Sequence, residues 1–123
     1  MTRQNFSDHI DSDAKVEQPD AVFDNASTIE VEFEYPLAKP ARVIFKAANG
    51  FSRQTFFNEV RETYRHIYKQ EALTTTIAPS RLAGMGNRNT TDGRYGIWGH
   101  VLGDLYLEGA QKRDGVWHLE IGS

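Results

Sequence analysis

Five residues near the end of the chain could move protons or bind a cation: His100, Asp104, Glu108, His118 and Glu120. Imidazole and carboxylate are both metal ligands and proton carriers, so His100 with Asp104, joined by Glu108 or His118, would make an acid–base or metal-assisted site. The spacing of His100 and Asp104 suits a helical turn better than a strand. The plainer reading is that Asp104 caps a turn and His100 donates to backbone. Glu108 set opposite Glu120, with His118 beside them, puts like charges across a strand pair. That needs a cation, an arginine or a raised carboxylate pKa to offset it.

A second constellation is the stretch SRLAGMGNRNTTDGRYG, where Arg81, Arg88 and Arg94 sit among Gly, Asn and Thr with Asp92 opposing them. Glycines let backbone N–H groups approach an anion, and arginines grip phosphate or carboxylate through paired donors. The stretch is no dinucleotide fingerprint, since Gly84-Met85-Gly86 follows a helix and Asn89 replaces the third glycine. A P-loop Gly-Lys-Ser/Thr is absent too. GIWG has the spacing of a KH RNA-binding loop without the flanking helices or charge.

Composition narrows the classes. With 123 residues the chain is expected to be one domain. Residues 1–34 carry nine acids against Arg3 and Lys15, a net −7, whereas the remainder carries twelve Lys or Arg against eight acids, a net +4. That is too little positive charge to call for nucleic acid. There is no cysteine, which excludes disulfides, thiolate catalysis and cysteine zinc sites. No apolar run approaches membrane-spanning length, and acids stand where a signal peptide needs an apolar stretch. A cytoplasmic protein is the expectation, with no cofactor and no dedicated metal site.

The elements that must position these residues follow from periodicity. Residues 1–27 show no sustained period and read as an acidic, disordered arm, leaving 28–123 as the domain. In TIEVEFEYP, Ile29, Val31, Phe33 and Tyr35 alternate with Glu30, Glu32 and Glu34, a half-buried strand. ARVIFKA pairs with it, and Phe33 against Val43 sets Glu34 beside Arg42 and Glu30 beside Lys46. The acidic stripe is thus explained by ion pairs, without a metal. Ser52 reads as a helix N-cap, with Phe51 and Phe56 as a hydrophobic staple. Phe56, Val60, Tyr64 and Ile67 give an amphipathic helix of about five turns. Residues 77–103 lack a period, and a loop this long is usually functional or disordered. DLYLEGA and VWHLEIG form a second hairpin, with Arg113-Asp114-Gly115 as a three-residue loop that pairs Lys112 with Val116 and Gly109 with Leu119. The expected fold is α+β and two-layered: an antiparallel sheet of about four strands, in ββ-α-loop-ββ order, packed against one amphipathic helix.

YGIWGHVLGDLYLEG, with the closing WHLEIGS, resembles the ending of an uncharacterised family of small proteins that share Y-G-I-W-G-H-x-x-x-D-L-x-L-E. YRHIYKQEA is similar as well. The resemblance spans roughly residues 50–123 and is sharpest over Tyr95–Glu108. It implies a small α+β domain and carries no activity. Gly96, Trp98, Gly99, His100, Asp104 and Glu108 match the shared pattern.

The first functional expectation is a non-enzymatic binding module. Its 81–100 loop would engage an anionic small molecule or a protein partner through Arg81, Arg88, Arg94, Tyr95, Trp98 and His100, with Tyr95, Ile97 and Trp98 as anchors if exposed. The second is a small enzyme built on His100 with Asp104 or Glu108. The third is a structural homo-oligomer.

Overall fold

A computed structural model describes residues 2–76 and 90–123 of the chain. The elements are β1 (Thr2–His9), β2 (Val22–Asp24), β3 (Thr28–Phe33), β4 (Ala41–Lys46), β5 (Phe51–Ser52), α1 (Arg53–Thr74), a 3-10 turn (Leu102–Asp104), β6 (Tyr106–Arg113) and β7 (Val116–Gly122). One sheet has five strands in the order β1-β6-β7-β3-β4, and β2 pairs with β5 in a separate two-stranded ribbon. The fold is α+β. The sheet is mixed rather than antiparallel throughout, because β3 runs parallel to β7, and β1 adds a strand the sequence did not suggest. Parallel neighbours need a long crossover. Here β4, α1 and β6 supply it.

The helix follows its sequence closely. The Ser52 hydroxyl accepts the Thr55 N–H at 3.1 Å, satisfying one of the orphan donors of the first turn. Phe56, Phe57, Val60, Tyr64 and Ile67 are buried along one face. They meet the inner face of the sheet, with Phe33 5.1 Å from Tyr64 and Trp117 6.2 Å from Phe56, ring centre to ring centre. Truncating one of these aromatics to Ala would cost about 3–5 kcal/mol through lost contact and the cavity left behind.

Residues 2–27 are not a disordered arm. Phe6, Ile10, Val16 and Phe23 are all buried, and Phe23 stacks on Phe56 at 3.8 Å. The clamp is Arg53, buried at the start of α1. Its guanidinium donates to the Glu17 carbonyl at 3.0 Å, the Asn5 carbonyl at 2.6 Å and Gln4 Oε1 at 2.9 Å, and it lies 4.1 Å from the centre of the Phe6 ring. Apolar anchors without a period escape a periodicity argument, because the segment wraps the helix start instead of lying flat on it.

Both hairpins form, each with a corrected register. Phe33 pairs with Ala41 and Val31 with Val43, so Arg42 faces Glu32 rather than Glu34. The connection is drawn away to hold the later loop: Ala38 and Lys39 donate to the Gly96 and Tyr95 carbonyls at 2.7 and 3.0 Å. The second hairpin turns on two residues, Asp114 (φ 51°) and Gly115 (φ 80°), both left-handed as a type I′ turn requires. Arg113 therefore pairs with Val116, and a bulge at Glu108 shifts the register by one so that Leu107 faces Ile121. Among the described residues, no helix is long and apolar enough to cross a membrane.

Candidate functional site

The 90–101 segment is folded around one buried carboxylate. Glu71, on the last turns of α1, accepts the Thr91 hydroxyl at 2.6 Å and the N–H groups of Gly93 at 2.7 Å, Tyr95 at 2.7 Å and Gly96 at 3.2 Å. Burial pushes this carboxyl up, and those four donors outweigh it and hold it below the usual carboxylate range. A side chain at position 93 would collide with it, since a Cβ there would stand 2.7 Å from Glu71 Oε2. Gly96 has φ +68°, which a side chain would strain. At the exposed end of the helix, Asp92 accepts from the Thr76 hydroxyl, the Thr75 hydroxyl at 2.7 Å and the Thr76 N–H at 2.6 Å; these bonds depress its pKa strongly. Within the described part of the glycine-rich stretch expected to cradle an anion, the N–H groups of Gly93, Tyr95 and Gly96 are taken by the chain's own Glu71, and Gly84 and Gly86 lie outside the described residues.

Beyond the nest lies an aromatic corner. Ring centres of Tyr35 and Trp98 are 5.1 Å apart, those of Tyr35 and His100 5.5 Å, and those of Trp98 and His100 5.6 Å. His100 Nε2 is 2.7 Å from the Tyr35 hydroxyl and 3.4 Å from Ser123 Oγ, and the two hydroxyls are 2.9 Å apart. On the other side of the ring, Nδ1 stands 3.6 Å from Asp104 Oδ2, too long for a hydrogen bond. Asp104 instead accepts the Val101 N–H at 3.3 Å, the turn-capping role. The Tyr68 hydroxyl donates to the His100 carbonyl at 3.0 Å and fixes the backbone there. Next to His100 is a pocket of about 80 Å³, lined by Tyr68, Ala72, Ile97 and Val101 together with Glu71 and Thr91. Trp98 is 41% exposed and Val101 43%.

The other expected site residues that are described are dispersed. Arg94 is exposed, its guanidinium carbon 5.8 Å from the centre of the half-buried Tyr95 ring. Ile97 is buried and bridges to Leu37. Arg81 and Arg88 lie outside the described residues. Glu108 sits in the bulge with its carboxylate against Gly122, and the bulge sets Gly109 rather than Glu108 across from Glu120. Arg3 takes Glu120, with Nε 2.9 Å from Oε2. The expected pair of opposed carboxylates does not form. Arg3 comes from the very segment read as an arm.

His118 joins a different set of acids. The parallel register puts it directly across from Glu32, with Nδ1 3.5 Å from Glu32 Oε2 and 3.9 Å from Glu34 Oε1. Glu34 is held above its ordinary range by the hydrogen bond it shares with Glu32, and Glu32 correspondingly below. Sequence reasoning missed this grouping because it assigned Glu34 to Arg42 and had no reason to lay β7 beside β3.

Compared with known proteins, the chain matches no family model, no curated protein and no solved structure.

Proposed function

We propose that the protein is a binding module that docks a protein partner on the corner formed by Tyr35, Trp98 and His100. The observation that carries this reading is Trp98: it is 41% exposed while the other tryptophan, Trp117, is 1% exposed. An exposed tryptophan is a common interface anchor, since a few aromatic side chains carry much of the binding energy of an interface, and His100 joins this aromatic corner to the apolar pocket beside it. The pocket beside His100, about 80 Å³, is of a size for one apolar side chain of the partner. The Tyr35 hydroxyl, His100 Nε2 and Ser123 hydroxyl would then meet its backbone. A protein partner is favoured over an anionic small molecule because Glu71 already occupies the N–H groups of Gly93, Tyr95 and Gly96.

The test is selection from a random peptide library on the wild-type protein, with Trp98→Ala and His100→Ala as counter-targets. Peptides with an apolar anchor should be enriched and should lose binding to both variants. No enrichment, or peptides that bind Trp98→Ala equally well, sinks the reading. A second reading, acid–base catalysis by His100, is favoured by one observation: hydroxyls contact one ring nitrogen while a carboxylate stands near the other. It expects hydrolysis of an activated ester that His100→Ala abolishes.

A further inference from the structure

The outer face of the sheet holds a second grouping, independent of the His100 corner. Strand alternation projects Glu32 to the face opposite the buried Val31 and Phe33, and Glu34 follows it along the chain. The β3–β7 register then sets His118 across from Glu32. One donor atom from each of the three residues lies within 4.8 Å of the others. His118 Nδ1 is closed to solvent and makes no hydrogen bond among the described residues, although it points at two carboxylates. A buried ring nitrogen left without a partner is costly and calls for one.

We propose that Glu32, Glu34 and His118 form a three-ligand site for a divalent transition-metal ion of the Zn²⁺ type. Ligand atoms bound to tetrahedral zinc at about 2.0–2.1 Å stand about 3.4 Å apart. The separations of 3.5 and 3.9 Å from Nδ1 to the carboxylate oxygens are already close to that. Small side-chain rotations close the remainder. Arg42 grips Glu32 through Oε1 at 2.8 Å, and the other oxygen, Oε2, is the one that faces His118 Nδ1. Two carboxylates balance the charge of a divalent cation. The imidazole selects zinc-like ions over magnesium and calcium, which prefer all-oxygen sites. Glu34 is 58% exposed, so the fourth coordination position opens to solvent and takes water.

The full chain, stripped with a chelator and desalted, is titrated with Co²⁺ alone at neutral pH. Visible absorption reports tetrahedral coordination, and Zn²⁺ is then added as competitor. The expected result is one saturable equivalent with intense d–d bands that Zn²⁺ displaces. Affinity should fall about tenfold or more in His118→Ala and in Glu34→Gln, and stay unchanged in Glu108→Gln. Glu34 is exposed enough that its variant will fold even if the histidine variant does not. The proposal is overturned by absence of saturable binding, by Glu34→Gln retaining wild-type affinity, or by His100→Ala rather than His118→Ala abolishing the signal.

Discussion

Glu71 Oε2 accepts the Gly93 N–H at 2.7 Å, across 22 residues of chain. With the matching bonds from Tyr95 and Gly96, this contact ties residues 93–96, which have little regular structure, to the end of α1. A carboxylate at the end of α1 does for Gly93, Tyr95 and Gly96 what a bound anion does in a phosphate-binding loop. It also decides where His100 stands, since the same segment leads into the aromatic corner.

Replacing Glu71 by Gln puts an amide NH₂ against donors that need an acceptor. Stability should drop by about 1–3 kcal/mol in urea unfolding, the cost of leaving buried donors unsatisfied. Amide exchange at Gly93, Tyr95 and Gly96 should accelerate more than exchange in the centre of α1. The pH dependence has a definite sign. Glu71 titrates lower folded than unfolded, so its contribution is complete above the ordinary carboxylate range and is lost as pH falls through the depressed folded value. Wild type should therefore lose stability below about pH 4, and Glu71→Gln should show a flatter acid limb. Parallel acid limbs would mean that Glu71 is not the loop's anchor.

Much of the frame was legible from local pattern. Ser52 with the Phe56, Val60, Tyr64 and Ile67 stripe defines α1, and two alternating stretches define the hairpins, because these signals depend on neighbours in sequence. Three features were not legible. Phe6, Ile10, Val16 and Phe23 reach the core without a common period, since their segment wraps the start of α1. Arg53 and Glu71 look like surface charges on a helix; each is buried because its partners, mostly backbone groups, come from distant segments. The β3–β7 pairing joins strands separated by the whole of β4, α1 and β6, and only that pairing brings His118 to Glu32. The register error at Glu34 and Arg42 then hid the carboxylate pair.

Arg53 should be the residue whose loss frees the N-terminal segment. Arg53→Met keeps the packing volume and removes the donors to Gln4, Asn5 and Glu17. Destabilisation of roughly 1.5–3 kcal/mol is expected, the range for hydrogen bonds to a charged group. Limited proteolysis should cut within residues 2–27 well before α1. If the segment stays as protected as in wild type, the buried aromatics hold it without the clamp.

Glu34 should behave oppositely with and without metal. In chelator its carboxyl titrates above the unfolded value, because it shares a hydrogen bond with Glu32. A carboxyl with a raised folded pKa disfavours the folded state as pH climbs past the unfolded value and through the folded one. Glu34→Gln should therefore gain stability relative to wild type on going from acid to neutral pH. With Zn²⁺ present the order should reverse, since ligand bound to the native state adds stability that the variant lacks. Thermal melts at several pH values, with and without Zn²⁺, check both signs. The same ranking under both conditions would leave the two carboxylates as an ordinary surface pair.

The two tryptophans should report separately on the core and the corner. Trp117 is 1% exposed and its indole N–H donates to Asp24 Oδ2 at 2.9 Å, whereas Trp98 is 41% exposed and packs edge-on against Tyr35. Acrylamide should therefore quench one component of the fluorescence readily and leave the other nearly untouched. Trp98→Ala should remove the quenchable component and cost less than truncation of a fully buried aromatic, which is about 3–5 kcal/mol. A peptide seated on the corner should shield that component in wild type. Because the buried tryptophan contributes a constant background, shielding measures occupancy of the corner and not a change in folding. A selected peptide that leaves the quenching of Trp98 unaltered binds elsewhere, and the corner then loses its assignment as the docking surface.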